Sequence, residues 1–434
     1  MNQGFKNDIS FARSLDANDP LHSFREMFII PTQNDKQLIY FLGNSLGLQP
    51  KKSMTYIQEV LDQWAKYGVE GFFRGDQPWY DYHDLLTQPM AAIVGAKPEE
   101  IVVMNQLTVN LHLMLTSFYQ PSGKRNKIIC EAKAFPSDQY MFESHVRSRG
   151  LDPNAVIIEV HPRPGENTIA TEDILSTIQS NAAETALVCI GGVNYYTGQA
   201  FDMRAITATA HQAGAKAGFD LAHAAGNIPL ALHDWNVDFA CWCNYKYLNA
   251  GPGSVGAAFI HEQYHHDADL LRLAGWWGYE KSTRFQMEKG FVPVESAEGW
   301  ALSTPSMLQC AALRTSLEIF EKAGIKRLIE KGRMLNDYFR FLLNEIMLQS
   351  DENAFVIVTP SRQEEKGNQV SLFFRNNGKE IFDSLEAAGI MADWREPGVI
   401  RMAPVPLYNT FEEVWVCCNA IKTILQRQPS KIKQ

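Results

Sequence analysis

The chain has 434 residues, 45% hydrophobic and 21% charged, which is the balance of a globular protein able to bury its own core. A formal charge of -9 argues against nucleic acid or an anionic membrane as the main partner. The seven scattered cysteines suggest neither a disulfide framework nor a zinc ribbon, no apolar run is long enough for a membrane, and Met1 to Ala12 lack a signal-peptide core, so a soluble cytoplasmic protein is expected.

Residues 1–50 read as irregular around the turn-rich run Phe41-Leu-Gly-Asn-Ser-Leu-Gly-Leu48. Apolar spacing then predicts a helix over 53–67. Strands are predicted at 101–104, 127–130, 155–158, 186–190, 217–220 and 237–242, with helices at 108–118 and 207–213 among them. Alternating strands and helices imply a mostly parallel sheet covered on both faces. Cys241 and Cys243 fall on one face of such a strand and read as buried apolar residues.

After residue 305 the pattern becomes α+β. A long helix over 306–346, broken at Gly324, precedes strands at 355–359 and 369–374. A helix at 380–388, a strand at 399–403 and a final helix from Thr410 follow; Thr410 and Glu413 form a capping box. The expected organisation is a segment 1–50 that contributes to the active site and to a small domain, a large domain 51–305 and a small domain 306–434. The tail from Gln426 is polar and expected to fray.

Three residues near predicted strand ends carry the chemistry: Asp220, His223 and Lys246. Ligands of open α/β sheets bind outside the carboxyl ends of strands, so these residues can share one crevice. A lysine and a carboxylate there suit pyridoxal 5′-phosphate, the lysine holding the aldehyde and the acid pairing with the ring nitrogen. A structural ion pair is the competing reading. Two turns can cradle a phosphate and a ring. One is Asn105-Gln-Leu-Thr-Val-Asn110, with Thr108 at a helix start; the other is Phe135-Pro-Ser-Asp138. Arg401 is a charge in an apolar strand and needs a partner. A substrate carboxylate and a protein salt bridge are equal readings.

Two motifs are rejected. Gly251-Pro-Gly-Ser-Val-Gly256 fits a dinucleotide pattern, but a strand-like run follows it where a helix is required. His261-Glu-Gln-Tyr-His265 fits a zinc-protease pattern, yet His261 follows a strand directly and no third ligand is evident, so no metal is expected.

On these residues the chain resembles the kynureninase family, fold-type-I pyridoxal phosphate enzymes of the class V aminotransferase kind. The match covers most of the chain. It is most specific at Phe41–Leu48, Leu107–His112, Tyr196–Gln199, Gly218–His223, His233–Trp235, Asp238–Cys243, Tyr245–Ala250, Gly275–Trp276 and Ala403–Tyr408. The resemblance implies hydrolysis of L-kynurenine, or its 3-hydroxy form, to an anthranilate and L-alanine. It implies a homodimer with shared sites, serving tryptophan catabolism or NAD biosynthesis. Lys246 would be the cofactor lysine and Asp220 the ring-nitrogen partner. Leu107, Thr108 and Tyr245 would hold the phosphate, with Tyr245 also a proton donor. Phe135 would stack on the ring, beside Pro136, Ser137, Asp138 and His223. Trp276 and Thr304 would complete the phosphate site, from the other subunit, and Ser45 and Arg401 would meet substrate. The chain departs from the family at Gly191, where some members carry a serine near the cofactor. Thr304 stands where the family varies between Thr and Asn. Alternatives are a cysteine desulfurase or aminotransferase, a non-catalytic amino-acid-binding protein, and a zinc hydrolase.

Overall fold

The computed structural model describes residues 4–267, 269–349 and 354–427. Helix α1 (Ile9–Ala17) lies in the segment expected to be irregular; the Asp8 carboxylate caps it, accepting from the N–H groups of Ser10 and Phe11. Strand β1 (Ile39–Tyr40), helix α2 (Ser53–Tyr67) and helix α3 (Asp84–Val94) follow.

The large sheet is then built from β2 (Ile101–Val103), β3 (Lys127–Glu131), β4 (Ile157–Val160), β5 (Thr185–Gly191), β6 (Lys216–Asp220), β7 (Phe239–Cys243) and β8 (Gly256–Ile260). Helices α4 (Leu107–Phe118), α5 (Pro136–Ser148), α6 (Thr171–Ser180) and α7 (Met203–Gln212) connect them. The strand order is β2-β8-β7-β6-β5-β3-β4. β8 runs antiparallel to β2 and β7, and the remaining pairs are parallel. Side chains alternate between two cores: Val188, Ile190, Phe219 and Trp242 pack on one side, Leu187, Cys189, Phe239 and Cys241 on the other. All seven cysteines are buried and free.

Helices α8 (Met307–Ala323) and α9 (Ile325–Gln349) part at Gly324, whose φ of +76° ends the first helix where the sequence predicts a break. Beyond them lie β9 (Val356–Ile357), β10 (Val370–Phe373), α10 (Gly378–Ala387), β11 (Ile390–Met391), β12 (Asp393–Arg395), β13 (Val399–Met402) and α11 (Phe411–Arg427). Four of these strands form an antiparallel sheet in the order β9-β10-β13-β12. The N-terminal segment packs into this second unit. β1 pairs with β11, and the Asp16 carboxylate accepts from Phe411 N and Glu412 N at the start of α11. Thr410 and Glu413 form the expected capping box, through Glu413 N to Thr410 Oγ1 and Thr410 N to Glu413 Oε2. Helix α11 continues through Arg427, past the point where fraying was expected, and the rest of that tail lies outside the described residues. No helix among the described residues is long and apolar enough to cross a membrane.

Candidate active site

Four parallel strands of the large sheet bring their carboxyl ends to one cavity of about 250 Å³. Glu131 ends β3, Gly191 ends β5, Asp220 ends β6, and Lys246 follows β7 by three residues. All four line the cavity. The 42–48 loop presses on the turn that carries Lys246. Gly47 N donates to Tyr245 O at 2.8 Å, and a Cβ on Gly47 would lie 2.3 Å from Lys246 O. Glycine is therefore required there by close approach of backbone.

Lys246 Nζ lies 3.0 Å from His223 Nε2. Burial, then Lys246, Arg401 and Arg395, hold the His223 ring well below its ordinary value, so it is neutral and accepts from the lysine. Its Nδ1 is buried without a partner among the described residues. Asp138 and Asp220 share a hydrogen bond in a buried pair. Burial and the Asp220 charge raise Asp138 well above the carboxylate range, so Asp138 keeps the proton. Burial raises Asp220 as well, and the N–H of Ala222, Lys246 and the hydrogen bond from Asp138 act against that push. Tyr245 is pushed up by burial, then by Cys243 beside it, and stays a phenol.

One end of the cavity is built from two helix starts. Neither Gln106 before α4 nor Phe135 before α5 caps its helix with a side chain; Pro136 brings no N–H and Asp138 N turns back to Phe135 O, so the α4 start offers more backbone donors than the α5 start. The two starts meet where Thr108 Oγ1 lies 2.7 Å from Ser137 Oγ. Close packing beneath depends on Gly256: a Cβ there would sit 3.2 Å from Leu107 N. Phe135 forms the opposite wall, its ring 5.3 Å edge-on to Tyr195 and 5.8 Å from Lys246 Nζ. Amine, neutral histidine, carboxylate and anion cradle in one cavity fit an aldehyde that carries a phosphate and a ring nitrogen.

Leu107, Thr108, Phe135, Ser137, Asp138, Asp220, His223, Tyr245 and Lys246 all line this cavity, with Pro136 between two of them. Ser45, Arg401, Trp276 and Thr304 are not among its lining residues. For Arg401 the salt-bridge reading is the one observed: its guanidinium pairs with Asp393 and donates to Tyr195 O at 2.6 Å. Trp276 is 46% exposed. Glu131 and Tyr195 line the cavity and are absent from the sequence reading. The rejected motifs also resolve. Gly251–Gly256 leads into strand β8, and His265 turns back to Ile260 O while His261 stacks on His233.

This strand order and these strand-end residues define the fold-type-I class. The apo cysteine desulfurase of Thermococcus onnurineus NA1 matches it at a TM-score of 0.75 and 19% identity, over 94% of this chain and 98% of its own. A C-DES mutant with glycine covalently linked to its PLP cofactor matches at 0.73 and 16%, over 88% and 96%. At such identities the likeness establishes the fold. Sequence relatives narrow it. The family model for the kynureninase C-terminal domain matches residues 328–421. The kynureninase of Flavobacterium johnsoniae is 53% identical over 411 residues, covering 95% of this chain and 96% of the relative. That of Myxococcus xanthus is 52% identical over 412 residues, covering 95% and 96%. The chain belongs to the kynureninase family.

Proposed function

We propose that this chain is a pyridoxal phosphate-dependent hydrolase that cleaves the Cβ–Cγ bond of L-kynurenine, and of 3-hydroxy-L-kynurenine, releasing an anthranilate and L-alanine. The observation that carries the reading is Lys246 beside neutral His223, facing the Asp138–Asp220 pair and a double helix-start cradle. When bound, the cofactor supplies an electron sink that acidifies the substrate's Cα and Cβ hydrogens.

Lys246 would hold the cofactor through its aldehyde, and its amine is placed to carry a proton at the substrate's Cα. His223 orients its Nζ through the 3.0 Å contact. Asp220 would pair with the ring nitrogen, with the Ala222 N–H and Asp138 countering the burial that raises it. Thr108 and Ser137 hydroxyls, with the N–H of Leu107, would hold the phosphate, and Phe135 would pack against the ring. Tyr245, held as a phenol, gives a proton to the departing carbon. Arg401 Nε, buried without a partner among the described residues, meets the substrate carboxylate alongside Ser45. Trp276 and Thr304 lie outside this cavity and act on that of a second copy, in a cytoplasmic homodimer serving tryptophan catabolism or NAD biosynthesis. The division into segment 1–50, large domain 51–305 and small domain 306–434 belongs to the same proposal.

A desulfurase reading fits the fold but lacks a nucleophile. Every cysteine is buried, and burial lifts Cys310 to about 12. The test is Lys246→Ala. Loss of both the lysine–cofactor absorbance and anthranilate release is expected; an active variant with unchanged absorbance refutes the scheme.

A further inference from the structure

Glu131 ends β3, and Gly191 N at the end of β5 donates to Glu131 Oε1 at 3.0 Å. These two strands meet at the sheet's switch point. From β3 the chain runs outward to β4, then returns to lay β5 on the other side of β3. Ligands of open α/β sheets sit beyond the strand ends at such a point. Gly191 is in register with Asp220 on β6, so Glu131 reaches across one bare residue towards Asp220. A Cβ at residue 191 would lie 2.9 Å from Glu131 Oε1. A side chain at that position therefore displaces the carboxyl.

Resting on the reading of this cavity as the cofactor site, we propose that Glu131 is a positioning residue for the cofactor ring, its carboxylate joining Asp220 at the strand ends to favour the cationic form of the bound group. The charged groups that face it are Asp220 on β6, Asp138 on α5 and Glu159 on β4, with Lys246 across the cavity. The neighbouring thiols Cys130 and Cys189 are raised by burial and stay neutral. In the protein alone, burial, then Asp220 and Glu159, lift Glu131 to about 7. A ring cation beside it opposes that push and draws the group into its ionised form.

The test uses the holoenzyme and Glu131→Gln, whose amide oxygen still accepts from Gly191 but never ionises. Two quantities are read: the pH midpoint of the Lys246–cofactor absorbance, and the cofactor dissociation constant at alkaline pH. The midpoint should fall by about one pH unit and the dissociation constant rise about tenfold, as expected for one lost charge at this range. Gly191→Ser, which displaces the carboxyl without removing it, should move both readings the same way. It decides the matter by the same two readings if the Gln variant does not accumulate. A midpoint unchanged from wild type, with a dissociation constant within about twofold, overturns the proposal. Wild-type protein without the absorbance would instead overturn the cofactor reading, so the two failures are distinct.

Discussion

Glu131 also makes the cofactor-free protein sensitive to pH, and the sign follows from the direction of its shift. In the unfolded chain the carboxyl ionises near 4.5, whereas in the fold it holds its proton up to about 7. Between those values the unfolded state has released a proton that the native state still binds, so raising the pH favours unfolding. The cost is absent below about 4.5 and complete above about 7. That interval, at about 1.4 kcal/mol for each pH unit, comes to about 3 kcal/mol, and the group is fully enclosed, so solvent screening does not reduce it. Glu131→Gln removes this term and leaves the neighbouring carboxyls in place. Urea unfolding of cofactor-free wild type and variant at about pH 5 and about pH 8 measures it. The variant should gain about 3 kcal/mol on wild type over that span. A wild-type-to-variant difference that stays constant with pH refutes the placement of an un-ionised Glu131 in the cavity.

Three further outcomes are expected. His145, whose Nε2 lies 3.0 Å from His112 Nδ1, is held down to about 4 by burial, then by His112 and Arg149. The unfolded ring takes a proton near 6.5 that the native ring refuses, so stability is lost as pH falls from 6.5 towards 4. After screening of this part-exposed pair the loss is about 1–2 kcal/mol, and His145→Gln should flatten the fall in melting temperature between about pH 7 and about pH 5. Asp16→Ala strips the caps from Phe411 N and Glu412 N and should cost about 2 kcal/mol in urea unfolding, with cofactor absorbance unchanged in the folded protein. Gly47→Ala drives a methyl against the Lys246 carbonyl and should lower cofactor occupancy; full occupancy would show that the loop yields.

Where the sequence and the fold agree, the signal is local. The strands of the large sheet are short apolar runs bounded by turns, and Asp220 and Lys246 are legible because strand ends are where such folds bind ligands. Where they differ, a local signal misleads or a distant partner decides. Helix α3 carries Pro89 in its interior, and α5 begins at Pro136 inside a run that reads as a turn. The strand expected at 155–158 starts later, at Ile157, because Asp152 caps a one-turn helix over Pro153–Val156. Arg401 shows the limit most directly. Its partner Asp393 stands opposite it across β12 and β13, and that register is a property of the folded sheet. Glu131 is one acid among many until β3 pairs with β5.

The same pairing logic ties the small sheet to the cavity wall. Tyr195, which lines the cavity, has its carbonyl held by both Arg401 Nη1 and Gln369 Nε2. Tyr196 O accepts from Ser371 Oγ at 2.8 Å. On the other side, Asn227 donates to His223 O and accepts from Asn368 N. Each of these side-chain groups is buried, so breaking a contact strands a polar atom away from water at about 1–3 kcal/mol. Strand β13 and the segment Asn368–Ser371 that opens β10 therefore brace Tyr195 and His223, two residues of the cavity that Lys246 lines.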